Sequence, residues 1–439
     1  MGRRLYSALL YALSPLIWRR LRREHLEDHP RGERLGRIPS YQDERVLWVH
    51  AASVGEVVTA RPLIRSLIDD YPEHRVVVTT MTATGARQVQ TLFCDLVTHH
   101  FVALDFPGAT RRFVQRLAPE IAIIVETEIW PNLIYACAMA GVPVTVVNAR
   151  ITERGFARYQ RFSKLMGEAI RRLAWVGAKS AEDAKRFRAL GVSARRLNVT
   201  GALKYDLHVD DHVFDQAEAL RSRIGERPVW VAGSTHEGEE TQILTAHECF
   251  LARFPDALLI LVPRHPQRFD EVAELCLGRG LSMTRRSEES EEEAIGCDTQ
   301  VYLGDTMGEL MTFYAAGDIA FVGGSLVDIG GHNLLEPAAL GLPVISGPSL
   351  SSLGDVADTL DEASARVEVS SAGMLGETLV SLMFDEVRRD ALGCNALAVV
   401  EANRGALGHT RDYLGRLIRA RELHEPWPLA DDRQPASEH

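Results

Sequence analysis

No stretch of the sequence reaches the ~20 consecutive apolar residues that a membrane-crossing helix needs. The apolar run nearest the start, LYSALLYALSPLIW at positions 5–18, stops at 14 residues. A secretory signal would place a small-residue cleavage site after such a run; Arg19, Arg20, Arg22 and Arg23 stand there instead. Basic charge is also short. The formal net charge is −11, and without a basic face to neutralise phosphates, general nucleic-acid binding is not expected. The six cysteines, at 94, 137, 249, 276, 297 and 394, include no C-x-x-C pair, so they read as thiols in a reducing compartment rather than a disulfide frame. A solenoid-period repeat is missing, as are the G-x-x-x-x-G-K-[ST] loop of P-loop nucleotidases and any D-x-D.

What is present is an ordinary globular balance, 46% hydrophobic and 25% charged over 439 residues, enough for two cores of normal domain size. The first 37 residues break from it, with nine Arg against four acidic residues. A short Tyr- and Trp-bearing helix flanked by arginines suits an anionic membrane face, in which it would lie or dip. A buried first helix, or a short span held by snorkelling arginines, are the alternatives. Beyond it, continuous apolar runs recur: RVLWVHA from Arg45, RVVVTTM from Arg75, IAIIVE from Ile121, VPVTVVN from Val142 and WVGA from Trp175. A second set follows: PVWVAGS from Pro228, ALLILVP from Ala257, TQVYLGD from Thr299, IAFVGG from Ile319 and LPVISG from Leu342. Runs that do not alternate indicate strands covered on both faces, hence parallel sheets in two doubly wound α/β domains. The polar stretch from Lys204 to Arg227 separates them, EESEEE (288–293) reads as a solvated loop face, and the Pro-, Asp- and Ser-containing C-terminus reads as frayed.

In such sheets ligands bind beyond the carboxyl ends of the strands, and the unusual polar residues follow the apolar runs. HAASVGEVVTA (50–60) places Glu56 in a helix's first turn, as a general base or as a capping-box carboxylate. The helix dipole lowers the pKa of an acid there, so a base would need compensating burial. Glu126 and Glu128 of ETEIWPN leave a buried strand and need partners, whether a substrate's positive charge, a lysine or a metal; E-x-E alone is weak evidence for the last. Lys204 in TGALKYD would neutralise a carboxylate or phosphate, unless it is an ordinary surface lysine. In the second half, Ser234 and Thr235 of GSTHEGEE are candidate caps for a helix whose amides meet an anion. His236-Glu237 lacks the second His of H-E-x-x-H, which excludes that metalloprotease site. Arg264 and His265 end another strand, fit for phosphate or carboxylate. GDTMGEL (304–310) and FVGGSLVDIGGHNLLEP (321–337) are glycine-rich joints that let a backbone approach phosphate, with Glu336 placed for ribose hydroxyls.

Taken in order, SVGE, TTMTATG, ETEIWPN, NAR, TG-x-LK-x-D, STHEGEE, VPRHP, GDTMGEL and GGS…GGHN…LEP resemble the Kdo (3-deoxy-D-manno-oct-2-ulosonic acid) transferases of lipopolysaccharide biosynthesis, from the N-terminal segment to about residue 410. The resemblance implies a GT-B glycosyltransferase, two Rossmann-like domains facing across a cleft. It divides the chain into a membrane-anchoring segment (1–22), an acceptor domain (23–210), a CMP-sugar domain (211–425) and a tail (426–439). It implies inverting transfer of Kdo from CMP-Kdo to a tetra-acylated lipid A precursor at the cytoplasmic face of the inner membrane, with no cofactor and no metal. Glu56 would be the base, with Glu126 or Glu128 and Lys204 stabilising the transition state. CMP contacts would fall on Pro263 and Arg264, on Met307, Gly308 and Glu309, and on Asn333, Leu334, Leu335 and Glu336, beside Gly331 of the same joint. Lys204 or Arg150 would meet the sugar's carboxylate. The chain departs from the family pattern in reading NLLE for NPLE at 333–336, SLSSLG at 349–354 without the expected Asn-Phe, and ITERG after Arg150. A nucleotide-sugar epimerase of similar fold, and a membrane scaffold that binds CMP without turnover, are the rival readings.

Overall fold

In the computed structural model the described residues are 2–21, 24, 26, 29–289, 293–351 and 353–423; the expected frayed tail lies outside them. Each run of continuous apolar residues forms a strand. In the first sheet these are β1 (Val46–His50), β2 (Arg75–Thr80), β3 (Thr98–Phe101), β4 (Ile121–Val125), β5 (Val144–Ala149), β6 (Trp175–Ala178) and β7 (Leu197–Val199). They pair in parallel in the order β3-β2-β1-β4-β5-β6-β7. The second sheet holds β8 (Val229–Thr235), β9 (Leu258–Pro263), β10 (Met283–Arg285), β11 (Val301–Leu303), β12 (Ile319–Val322), β13 (Val344–Ser346) and β14 (Arg366–Glu368), ordered β10-β11-β9-β8-β12-β13-β14 and again all parallel. Central strands β1, β4, β5, β8 and β9 are buried along their whole length, because helices cover both faces. In both sheets the order reverses beside the first strand, between β1 and β4 and between β8 and β12. These are the switch points at which doubly wound sheets take ligands.

The chain divides into two compact units, Met1–Asp206 with Arg404–His439, and Leu207–Asn403. The second domain expected to run to 425 therefore ends earlier. Helix Ala406–Glu422 returns to the first unit, burying Ala406, Tyr413, Leu414, Leu417 and Ile418 in the core that holds Val57, Ile64 and Trp175. Tyr413 stacks on Trp175 with ring centroids 4.3 Å apart. Amphipathic spacing shows that such a face is buried, not against which core. The polar stretch read as a divider contains helix Asp211–Ile224, whose Val213, Ala217, Leu220 and Ile224 are buried in the second unit. The acidic run is also not wholly a solvated face. Glu289 is 6% exposed and pairs with Arg223 at 2.8 Å, while 290–292 lie outside the described residues.

The N-terminal segment folds as two helices, Arg3–Ala12 and Ser14–Leu21, and no described helix is long and apolar enough to cross a membrane. Its inward face is partly polar. Ser7 Oγ donates to Asn132 Oδ1 at 3.2 Å, Arg3 donates to the same oxygen at 3.3 Å, and the Arg3 guanidinium lies over the Tyr135 ring at 3.6 Å. Leu10, Ile17, Trp18 and Leu21 pack against the core. Four leucines point the other way: Leu5, Leu9, Leu13 and Leu16 are 57, 45, 49 and 63% exposed.

Candidate active site

Ser53 is extended and ends the turn out of β1, and helix Val54–Asp70 begins immediately after it, which puts Glu56 in the first turn. The Ser53 hydroxyl does not cap the helix; it donates to Glu56 Oε1 at 3.1 Å, while the Ala52 N–H donates to Oε2 at 2.7 Å. The carboxylate thus has the local bonds of a capping residue, yet its acidity is not that of one. Burial pushes it up to about 7, against the Ala52 N–H, and the negative charges of Glu128 and Glu126 push the same way. The compensation that a base at a helix N-terminus requires is present.

Glu126 and Glu128 leave β4, the neighbour of β1 across the switch point. Glu126 adopts φ of +59°, in the left-handed region that costs a side-chain-bearing residue. Asn148 at the end of β5 and Ser234 in β8 do the same, at +50° and +58°. Three residues in this left-handed region thus lie at or near the carboxyl ends of strands in the two sheets, where a doubly wound sheet takes its ligands. Glu128 Oε2 accepts the Trp130 indole N–H at 2.7 Å, which opposes the rise that burial imposes on its carboxyl. Thr127 between the two glutamates donates to the carbonyl of Arg150, itself exposed, and so ties ETE to NAR.

Lys204 sits half-buried in the 3₁₀ turn Leu203–Tyr205. One hydrogen bond and one apolar packing contact fix that turn: Asn148 Oδ1 accepts the Leu203 N–H at 3.2 Å, and Leu203 is buried in the same cluster as Val57 of the Glu56 helix. Asp206 then caps the C-terminal helix, accepting from Gly405 N at 2.6 Å and Leu407 N at 2.8 Å. The first unit therefore brings Glu56, Glu126, Glu128 and the turn of Lys204 to one end of one sheet.

The second unit gathers Arg264, His265, His236 and His332 beyond β8, β9 and β12. Arg264 N donates to the Thr235 carbonyl at 3.0 Å, its guanidinium is exposed, and its charge helps hold His236 and His332 below the usual imidazole range. Several expected anion-binding groups are already engaged. Thr235 is buried and donates to Glu240 Oε1, which also accepts Arg268 at 2.6 Å, so neither Ser234 nor Thr235 caps the helix that starts at Glu240. The glycine-rich joint after β12 is likewise filled. Glu239, fully buried, accepts the N–H groups of Gly324 at 2.7 Å, Ser325 at 3.1 Å and Leu326 at 2.9 Å. The cradle expected to take phosphate holds a carboxylate of the chain itself.

The remaining candidates divide. Met307 is 63% exposed and Gly308 adopts φ of +92° with open space around it. Glu309 accepts from Arg286 at 2.9 Å and from the Thr306 hydroxyl. Asn333 bridges Glu336 (3.2 Å) and the Leu335 N–H (3.2 Å). Leu334 and Leu335 are fully buried. A Cβ on Gly331 would strike Leu350 at 2.4 Å, a packing reason for that glycine. Pro263, the buried end of β9, pairs with Thr235. Sequence reasoning missed the His236–His332 pair and the engagement of Glu239; the only signal was the density of polar residues in STHEGEE. It also missed Asp105, whose carboxylate accepts the first-turn amides of Asn132 (3.1 Å) and Leu133 (2.7 Å) and the Tyr6 hydroxyl; burial pushes it up to about 7. Among the described residues no group of three His, Cys, Asp or Glu is arranged to hold a metal.

Comparison with known proteins agrees with this arrangement. Residues 29–207 match the family model described as 3-deoxy-D-manno-octulosonic-acid transferase (kdotransferase). The chain is 40% identical over 370 residues to the 3-deoxy-D-manno-octulosonic acid transferase of Haemophilus influenzae, covering 84% of this chain and 86% of that one. It is 36% identical over 431 residues to that of Bordetella pertussis, covering 94% and 99%. Among solved structures, UDP-GlcNAc 2-epimerase from Neisseria meningitidis superposes with a TM-score of 0.52 at 14% identity, covering 84% of this chain and 99% of that one, a likeness of fold alone. With two doubly wound domains of GT-B type and relatives of this identity over most of its length, the chain belongs to the 3-deoxy-D-manno-octulosonic acid (Kdo) transferase family of glycosyltransferases.

Proposed function

We propose that this chain moves Kdo from CMP-Kdo to the tetra-acylated lipid A precursor with inversion, Glu56 acting as general base. The observation that carries the reading is the Glu56 carboxyl: buried at the switch point of the first sheet, with a pKa of about 7, it is ionised in useful amount at neutral pH while keeping enough basicity to take a proton. An acceptor hydroxyl gives its proton to Glu56 and its oxygen bonds to the anomeric carbon of Kdo. The bond from that carbon to the phosphate oxygen breaks on the opposite face, and CMP leaves with the electron pair. Lys204 or Arg150 meets the sugar carboxylate, and Glu126 and Glu128 favour the positive charge that develops at the anomeric centre. Arg264 neutralises the phosphate of the leaving CMP, a task the reading gives to protein groups rather than to a divalent cation.

The outward leucines of the two N-terminal helices support docking on the membrane that holds the acceptor. Their polar side is spent on Asn132 and Tyr135, while four leucines together with Arg4 and Arg19 are exposed, as in helices that lie in an anionic interface. Mass spectrometry after incubation of CMP-Kdo with and without the lipid precursor tests the reading. Transfer predicts a Kdo-lipid and CMP release only with acceptor; CMP release or sugar isomerisation without it favours an epimerase-like enzyme, and CMP binding without turnover favours a scaffold.

A further inference from the structure

His236 leaves β8 and His332 belongs to the loop leaving β12, so the two meet where the second sheet's strand order reverses. Their rings lie within 6° of parallel, with centroids 5.0 Å apart and the Nε2 atoms 2.7 Å apart. Two neutral imidazoles meet head to head in this way when one donates its Nε2–H and the other, protonated on Nδ1, accepts. The Nδ1 of the donating ring is then the one bare nitrogen of the pair. One further proton can settle there with the shared bond intact; a second would break it.

The groups around the pair are mostly cationic. The His265 ring meets His236 nearly edge-on at 5.1 Å. Burial first, and then the charges of His265, Arg264 and Arg268, hold His236 low; burial, His236, Arg264 and His265 bring His332 to about 4. On the same loop as His236, Glu237 is exposed. Glu239 is occupied by the amides of Gly324, Ser325 and Leu326 and, at 3.4 Å, by that of His236. Among the described residues no carboxylate pairs with His236, His265 or His332. The cluster is thus rich in nitrogen donors and positive charge, at the place in the sheet where a ligand belongs.

We propose that His236 and His332 act as one two-ring receptor for the phosphate of the nucleotide, and that the pair takes up a single proton as that phosphate binds. The inference rests on the CMP-donor reading of this unit. The proton comes from solvent and goes to the bare Nδ1; no covalent bond forms. A bound anion offsets Arg264 and His265 and so raises the proton affinity of the pair. Affinity from this source is full at low pH and is lost as pH rises through the midpoint of the bound pair, by up to about tenfold per pH unit.

Calorimetric titration of CMP into the full chain between pH 6 and 8, in two buffers of different ionisation enthalpy, tests the proposal. Wild type is compared with His332→Gln and His236→Gln, which share the titration of CMP itself. Wild type should take up more protons than either variant, up to about one, and its affinity should fall about tenfold more across the range. Equal uptake and parallel slopes in all three proteins overturn the proposal while leaving CMP binding intact; no CMP binding to wild type overturns the donor reading beneath it. Imidazole ¹⁵N spectra of wild type supply a check without substitution: CMP should turn one bare ring nitrogen into N–H at His236 or His332, and ring-nitrogen shifts unmoved by CMP overturn the assignment.

Discussion

Replacing Glu56 by Gln should inactivate the enzyme and stabilise its first unit at the same time. The amide keeps the shape and can still accept the Ala52 N–H, while Ser53 Oγ can accept from its NH₂ in place of donating. What is lost is the base, a contribution of about 10²–10⁴ in rate, or roughly 3–5 kcal/mol of barrier. The stability effect follows from the rise of the carboxyl from 4.5 to about 7. The folded state binds this proton more tightly than the unfolded one, so the stability associated with it is fully present below pH 4.5 and is lost as pH rises through 7. At ~1.4 kcal/mol for each tenfold in proton affinity, wild type gives up about 3 kcal/mol across that window. The variant carries no such loss, and its advantage in denaturant midpoint should grow from near zero at pH 4.5 to a maximum above pH 7. Wild-type turnover at saturating CMP-Kdo should meanwhile rise about tenfold from pH 6 to pH 8, following the ionised fraction of a group titrating near 7. CMP affinity should not change in the variant. Turnover within tenfold of wild type, or a variant whose stability shows no pH-dependent gain, would refute the reasoning.

Arg264→Ala removes a charge-assisted contact and should weaken CMP binding about 10- to 100-fold, measured by calorimetry; unchanged affinity would remove Arg264 from the phosphate site. Paired Leu9→Asp and Leu16→Asp substitutions at exposed positions should release the protein from anionic vesicles in sedimentation while shifting unfolding by less than about 0.5 kcal/mol; undiminished pelleting would place the attachment elsewhere. Asp206→Ala frees two amides at the start of the C-terminal helix and should cost about 1–2 kcal/mol in chemical denaturation, with a fall in turnover through the adjacent Lys204 turn; full activity would show that the cap does not position the lysine. Excess EDTA should leave transfer unaffected, and a loss restored by Mg²⁺ would assign phosphate neutralisation to a cation.

The strands that carry the site could be read from their apolar runs because they are buried on both faces and leave no room for polar residues. The four strands missed, β3, β7, β10 and β14, are the outer strands of the two sheets. At three or four residues, with burial that is mixed at best, they carry no pattern that sets them apart from loop. Glu56, Glu126, Glu128 and Arg264 announced themselves in the same way, as costly residues soon after buried strands, and Lys204 by its place in TGALKYD at the junction of the two halves. Their partners did not. That Glu239 fills the glycine cradle after β12, that Thr235 turns to Glu240, and that His236 meets His332 across 96 positions of chain are consequences of which strand ends lie side by side. The return of the last helix to the first unit is of the same kind. Sequence by itself determined the fold class, the family and the strand ends where chemistry gathers, since burial dictates residue type locally. Tertiary structure alone decided which charges are satisfied and how basic Glu56 is, because desolvation and hydrogen bonding depend on neighbours that the chain brings in from far away.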